Sequence, residues 1–312
     1  MRDPELVRST GAAVALVGSW ADYLRPLRFD HWIKNLVVPA GSTLALAAHR
    51  IIPDWAVVGT ACLAFMISGF VSSTNYAINE ILDARFDAQH PVKRQRPIPS
   101  GQVRVGSLLT LTTVMALATF TLAIWVFPAP FVLANFALFV AALLYNVPPI
   151  RFKDWPYLDA VVESLTNPIR LAIGWYAVTL PNLSAPPILL LMAVWGFGAF
   201  LMTGKRLAEL RLLGPQAARY RRTFRSYSLR TLLAVQLGYA AVAMLTLAWF
   251  LASERPQLLR FLVVIALILG WTLKMTFEHE SPLIDPEHLY RRPVFLFFAL
   301  AVFAAMVAWA VW

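Results

Sequence analysis

Asn79, Asp83 and Asp87 recur at four-residue steps, a spacing that stacks three side chains a turn apart on one helical face. An amide and two carboxylates arrayed this way are hard oxygen donors. Magnesium prefers such ligands, commonly one or two carboxylates completed by water and phosphate oxygens. The same step returns at Asp159, Glu163 and Asn167, with Arg170 one turn further on. Two ladders at one level would hold two Mg2+ ions and clamp the two phosphates of a diphosphate between them, neutralising it as a leaving group. Metal ligation is therefore expected at Asn79, Asp83, Asp87, Asp159 and Glu163, with Asp83, Asp87 and Asp159 closest to the chemistry. Cationic donors lie close in sequence to each ladder: Lys93, Arg94 and Arg96 after the first, Arg151 and Lys153 before the second, and Lys205 and Arg206 in the stretch G-K-R-L-A-E-L. Such groups make charge-assisted bonds to phosphate oxygens. Lys34 and Asn35, at the mouth of an apolar stretch, face the same site, as do Asn167 and Arg170. The later arginines Arg219, Arg221, Arg222 and Arg225 are expected to meet lipid headgroups or water. The competing account makes the first ladder a solvated helix end and the second a set of ion pairs between helices. Two matching ladders weigh against it.

The elements that carry these residues must be membrane spans. The chain of 312 residues is 59% hydrophobic and 14% charged, far from the composition of soluble domains. Nine segments are apolar enough to cross a bilayer: Lys34–Ala48, Trp55–Ile81, Val105–Phe127, Pro130–Val147, Tyr157–Leu180, Pro186–Thr203, Leu229–Ala252, Leu258–Phe277 and Pro293–Trp312. Pro39 and Pro168 should kink the first and fifth of these. An N-terminus in the cytoplasm and a C-terminus outside place 23 of the 27 Lys and Arg residues in cytoplasmic segments or at cytoplasmic span ends, leave Arg50, Arg255 and Arg260 on the outer side, and put Arg170 within the fifth span. Both ladders then open to the cytoplasm. Residues 1–30 read as a peripheral lead-in without a cleavable signal, and 1–312 as one membrane-embedded domain.

The net charge of +10 fits positive-inside loops and anionic lipids or substrates better than nucleic acid. Cys62 is the only cysteine, so neither an internal disulfide nor a thiolate metal site is possible. The five histidines lack metal-ligand spacing, and the acidic stretch 278–288 reads as a loop. Phosphate-loop, dinucleotide and serine-hydrolase motifs are absent from the sequence. Tyr76, Tyr145 and Tyr157 lie near the ladders, where aromatic faces can stabilise a developing cation. Tyr23 and Trp32 fit equally well as interfacial anchors.

Taken together, the two ladders resemble the signatures of the UbiA superfamily of intramembrane prenyltransferases. The first signature, N-D-x-x-D-x-x-x-D, matches Asn79, Asp83 and Asp87, with Glu80 in place of an aspartate; the second, D-x-x-x-D, matches Asp159 and Glu163. The resemblance implies an all-α, nine-helix bundle, Mg2+ as cofactor, a diphosphate-bearing donor and a polyprenyl lipid substrate. Three segments, H-W-I-K-N-L-V-V at 31–38, H-P-V-K-R-Q-R-P-I at 90–98 and G-K-R-L-A-E-L at 204–210, resemble the branch that transfers phosphoribose from phosphoribosyl diphosphate to a polyprenyl phosphate. The segment Y-N-V-P-P-I-R-F-K-D looks more like branches that move prenyl groups onto rings or lipids. A cation-coupled transporter is the rival from another class, since intramembrane carboxylates also mark ion paths. Both ladders lying at one membrane surface, with no polar path to the other, argues against it.

Overall fold

The computed structural model describes residues 18–88, 93–178, 184–284 and 292–311, and these are helices and short connections. Each of the nine predicted segments contains a helix: α1 (Val37–Ala48), α2 (Trp55–Asp87), α3 (Val105–Val126), α4 (Ala129–Asn146), α5 (Leu158–Ala177), α6 (Ile188–Leu213), α7 (Leu229–Glu254), α8 (Phe261–Thr276) and α9 (Pro293–Val311). Six of them, α2, α3, α4, α6, α7 and α9, are long and apolar enough to cross a membrane by length and composition. The protein is an integral membrane protein. Large apolar side chains such as Trp125, Val263 and Phe297 point outward, as they must where lipid rather than protein is the neighbour.

Helix α2 has 33 residues, which at 1.5 Å per residue makes roughly 50 Å. That exceeds a hydrocarbon core of about 30 Å, so one end must run past the apolar layer. This end carries Asn79, Asp83 and Asp87. The most extensive contacts join α6 to α7, α1 to α5, and α4 to α5. Glycine makes the α1–α5 contact possible. A Cβ on Gly174 would fall 1.7 Å from the Val38 carbonyl oxygen, and one on Gly41 2.2 Å from that of Leu171. Small residues that let backbones touch are the usual device where lipid removes the hydrophobic drive between helices.

Two expectations need correcting at the start of the chain. Pro39 does not kink a span: a 3-10 segment, Phe29–Leu36, comes first, and Pro39 stands in the opening turn of α1, where its missing N–H costs little. Pro168, by contrast, lies inside α5 as expected. Trp32 is no interfacial anchor either. Its indole N–H donates to Ser73 Oγ at 2.9 Å, and its ring packs against Phe65, Phe70 and the open face of Gly69. The described part of the lead-in is docked as well, since Tyr23 and Leu27 are buried with Ala77, Val103 and Leu108. Residues 1–17, and with them most of that segment, lie outside the described residues, as do 285–288 of the acidic stretch.

Candidate active site at the polar end of the bundle

The ladder helices meet through the loops between them. The end of α2, the end of α4, the start of α5 and the last third of α6 all lie at one end of the bundle. Asp83 accepts from Arg151 Nη2 at 2.9 Å and from Lys153 Nζ at 2.7 and 3.0 Å. Lys153 Nζ also donates to Asn79 Oδ1 at 2.9 Å and to Asn146 Oδ1 at 3.2 Å. One ammonium is thus ringed by carboxylate and amide oxygens from α2 and α4. That donor set is what a hard divalent cation requires, so the first ladder fits Mg2+. Burial lowers the pKa of Lys153, and the charge of Asp83 works in the opposite direction. Asp87 pairs with Arg96.

The loop delivering Arg151 and Lys153 leaves α4 through Pro148 and Pro149, and Arg151 itself has φ 38°. Tyr157, just before α5, has φ 66°. Left-handed backbone is unfavourable for such residues and persists only where the surroundings hold it. Arg151 is held by Asp83 and Asp154. Tyr157 donates its N–H to the Tyr227 hydroxyl at 2.9 Å.

The second ladder is more enclosed. Asp159 is fully buried; its Oδ1 accepts from the Tyr227 hydroxyl at 2.6 Å and from the Ala160 N–H at 2.9 Å. Its Oδ2 accepts from Arg206 Nε at 2.8 Å and lies 3.3 Å from Arg221 Nη2. Arg206 also reaches Glu209 at 2.9 Å and Glu163 at 3.6 Å. Glu163 accepts from the Tyr145 hydroxyl at 2.8 Å. Every oxygen of Asp159 is therefore already engaged, whereas Glu163 keeps part of its carboxylate open. Among the described residues no three acidic, histidine or cysteine side chains gather around one point.

Arg221 ties the halves together. It donates to the Lys153 carbonyl at 2.7 Å and to Tyr145 Oη at 3.3 Å while lying against Asp159. Burial works against its charge, yet the neighbouring Tyr145 and Asp159 leave its pKa above the ordinary arginine value. The expectation that Arg221 is solvated or lipid-facing is therefore overturned; the loop after α6 folds back over the site. Ser228 caps α7, accepting from Thr231 N at 3.1 Å, which fixes Tyr227 immediately before the helix. Burial, then the adjacent carboxylate of Asp159, pushes the Tyr227 hydroxyl pKa upward, so it stays protonated and donating. Asn146, Arg221 and Tyr227 were missed in the sequence; only Asn146, next to Tyr145, gave a local signal.

The other expected residues spread out. Arg94 is exposed, Arg225 is exposed, and Lys34 and Lys205 are half-buried. The Lys93 side chain lies outside the described residues. Asn167 packs against Gly198 of α6, where a Cβ would fall 2.2 Å from its Nδ2. Glu80 is buried and turned from the ladder face toward the Ile98 N–H. Arg170 and Asn35 pair with each other, Nε to Oδ1 at 2.8 Å, deeper in the bundle. An apolar groove of about 510 Å³ lies between α1 and α2, lined among others by Leu36, Pro39, Ser42, Val57 and Phe65.

The described residues thus form an all-helical membrane bundle in which two acidic ladders stand among cations at one end. Residues 36–284 match the model of the UbiA prenyltransferase family, and the chain belongs to that family. It is 32% identical over 209 residues to a decaprenyl-phosphate phosphoribosyltransferase of Mycolicibacterium smegmatis, covering 66% of this chain and 62% of that protein. It is 31% identical over 149 residues to a protoheme IX farnesyltransferase of Xanthomonas campestris, covering 46% of this chain and 49% of the relative. The chain thus spans under two thirds of the length of these curated relatives. In fold it is similar to a UbiA homolog from Archaeoglobus fulgidus solved with GPP and Mg2+, with a TM-score of 0.66 at 19% identity, over 93% of this chain and 98% of that one.

Proposed function

We propose that this protein is a Mg2+-dependent transferase that moves a 5-phosphoribosyl group from phosphoribosyl diphosphate to a polyprenyl phosphate at the cytoplasmic face of a membrane. The observation that carries the reading is the convergence of both ladders, through Lys153, Arg151, Arg206 and Arg221, on one end of the bundle. Phosphoribosyl transfer is favoured over other family activities by the relative matched over 209 residues, against 149 for the farnesyltransferase. The Lys and Arg distribution supports the cytoplasmic side, and the run of nine apolar segments supports nine crossings in one domain over residues 1–312.

Asn79, Asp83 and Asn146 would hold Mg2+ on the first ladder, with Glu163 offering an open oxygen on the second. Bound there, the ion supplies positive charge to the diphosphate oxygens and makes diphosphate a better leaving group. Arg151, Lys153 and Arg221 supply fixed positive charge to the same oxygens as the ribose C1–O bond breaks. Tyr227 and Asp159 hold Arg221 and Arg206 in register, and the apolar bundle keeps water from the electron-poor carbon. A phosphate oxygen of the lipid then forms the new bond to C1. Prenyl transfer from a polyprenyl diphosphate is the second reading, supported by the farnesyltransferase relative. The purified protein, given Mg2+ and either labelled phosphoribosyl diphosphate with polyprenyl phosphate or labelled polyprenyl diphosphate with candidate acceptors, separates them. Diphosphate released only from the prenyl donor would refute the phosphoribosyl assignment.

A further inference from the structure

Arg170 carries a charge that the ladders do not balance. It is nine-tenths buried and lies 11 residues beyond Asp159 on α5, roughly 16 Å deeper along the helix axis. Its guanidinium donates to two neutral oxygens, Asn35 Oδ1 at 2.8 Å and Thr166 Oγ1 at 2.7 Å. Among the described residues no carboxylate lies within ion-pair distance of it, while Arg206 in the same bundle has three. A buried cation inside a membrane bundle is costly unless paired, and such residues mark substrate paths. Its partner Asn35 is itself almost fully buried, and the amide Nδ2 of Asn35 has no acceptor. Asn35 Oδ1 is already taken by Arg170 and by Ser72 Oγ at 3.3 Å. The amide is thereby oriented with its donor free beside a guanidinium that has donors to spare.

An unopposed cation and an unused N–H donor together specify an anion with several acceptor oxygens. A diphosphate held between the first ladder and Glu163 would lie about two turns from Arg170 along α5, so it is not the anion expected there. From this geometry we infer that Arg170 and Asn35 form a second anion seat, for a phosphate monoester distinct from the leaving diphosphate. The inference rests on the proposed transferase reading and deepens it, because a transferase acting on a neutral acceptor has no use for a buried second phosphate seat. Two substrates could supply the group: the lipid acceptor through its head phosphate, or the donor through its ribose 5-phosphate. The apolar groove between α1 and α2 is lined by Leu36, the residue after Asn35, and by Pro39, Ser42 and Leu46 on the following turns. It gives an isoprenoid tail a path, so the lipid phosphate is the one expected to respond.

The test is direct binding to the purified full chain in detergent without turnover, using four probes: a polyprenyl monophosphate, the polyprenol alcohol of the same length, ribose 5-phosphate, and inorganic diphosphate with Mg2+. Wild type should bind the lipid monophosphate at least tenfold tighter than the alcohol. Arg170→Met should remove that preference, Arg170→Lys should retain part of it, and both should bind Mg2+-diphosphate as wild type does, which also shows that they are folded. A tenfold loss for ribose 5-phosphate instead supports the seat and assigns it to the donor. If wild type fails to distinguish lipid phosphate from alcohol and does not bind ribose 5-phosphate, the seat is refuted whatever the variants do. Equal binding of every monophosphate by folded Arg170→Met refutes it as well. Failure of wild type to bind Mg2+-diphosphate would be a separate result, against the transferase reading itself.

Discussion

Asp83 and Asp159 each anchor one ladder, yet their surroundings predict different consequences of losing them. Asp83 is partly open and faces Arg151 and Lys153 from a loop, so Asp83→Ala removes a metal and phosphate anchor while the loop cations can turn to solvent. Activity should fall by about 10²-fold or more, with the thermal unfolding midpoint in detergent nearly unchanged. Asp159 has no exposure, and its loss removes one of three carboxylates around buried Arg206, the carboxylate beside Arg221 and the acceptor of the Tyr227 hydroxyl. Breaking one side of a buried pair costs about 3–5 kcal/mol, so Asp159→Ala should lower that midpoint as well as abolish diphosphate release. Wild-type turnover by either variant would remove it from the site. Arg221 and Arg225 offer a second contrast within one arginine-rich run. Arg221→Gln should cost about 10²-fold in turnover, as the loss of one preorganised donor does, and Arg225→Gln should be silent; equal effects would place the loop elsewhere. The first ladder was readable from spacing alone, because a four-residue step is a local property of one helix. Arg221 and Tyr227 were not, since their partners Asp159 and Lys153 are some seventy residues distant and nothing local separates Arg221 from its exposed neighbour Arg225.

At the scale of elements, the seat for Arg170 and Asn35 exists because α1 and α5 touch backbone to backbone. Gly174 and Gly41 make that approach, and a hydroxyl seals it: Ser42 Oγ donates to the Gly174 carbonyl at 2.8 Å. Gly174→Ala must push the helices apart, since the Val38 carbonyl oxygen stands 1.7 Å from the new methyl group. Overpacking of this kind typically costs about 1–3 kcal/mol. Gly59 on α2 has nothing within 4 Å of a Cβ, so Gly59→Ala should hold or slightly raise the midpoint, given the better helix propensity of alanine. Unfolding curves in one detergent compare the two; an unperturbed Gly174→Ala would mean that α1 and α5 do not pack as described. The helices were legible in the sequence and this joint was not. Hydropathy marks a segment as apolar without naming the helix it meets, and the 3-10 turn at Phe29–Leu36 moved Pro39 from mid-span to a helix start.

For the molecule as a whole, parity ties the number of crossing helices to the side on which each loop lies. By length and composition α1, α5 and α8 fall outside the group that can clearly span. α5 falls short because it carries Asp159, Glu163 and Arg170, and α8 because it has 16 residues. Yet α5 must run the full depth of the bundle. It starts beside the end of α4, and α6 has to return to the same end to place Arg206 against Asp159. On the proposed nine-crossing layout the chain crosses five times between Arg94 and Gln257, through α3, α4, α5, α6 and α7, and the two residues should lie on opposite sides. If α5 did not cross, four passes would leave them on the same side. Both positions are exposed, and Cys62 is the sole native cysteine, so Cys62→Ser gives a clean background for single cysteines. With a membrane-impermeant maleimide, Arg94→Cys should label only in inside-out vesicles and Gln257→Cys only in intact cells, as the crowding of Lys and Arg at the ladder end demands. Labelling of both from one side would remove α5 from the membrane-crossing set, and the reverse pattern would turn the site to the outside, away from a cytoplasmic donor.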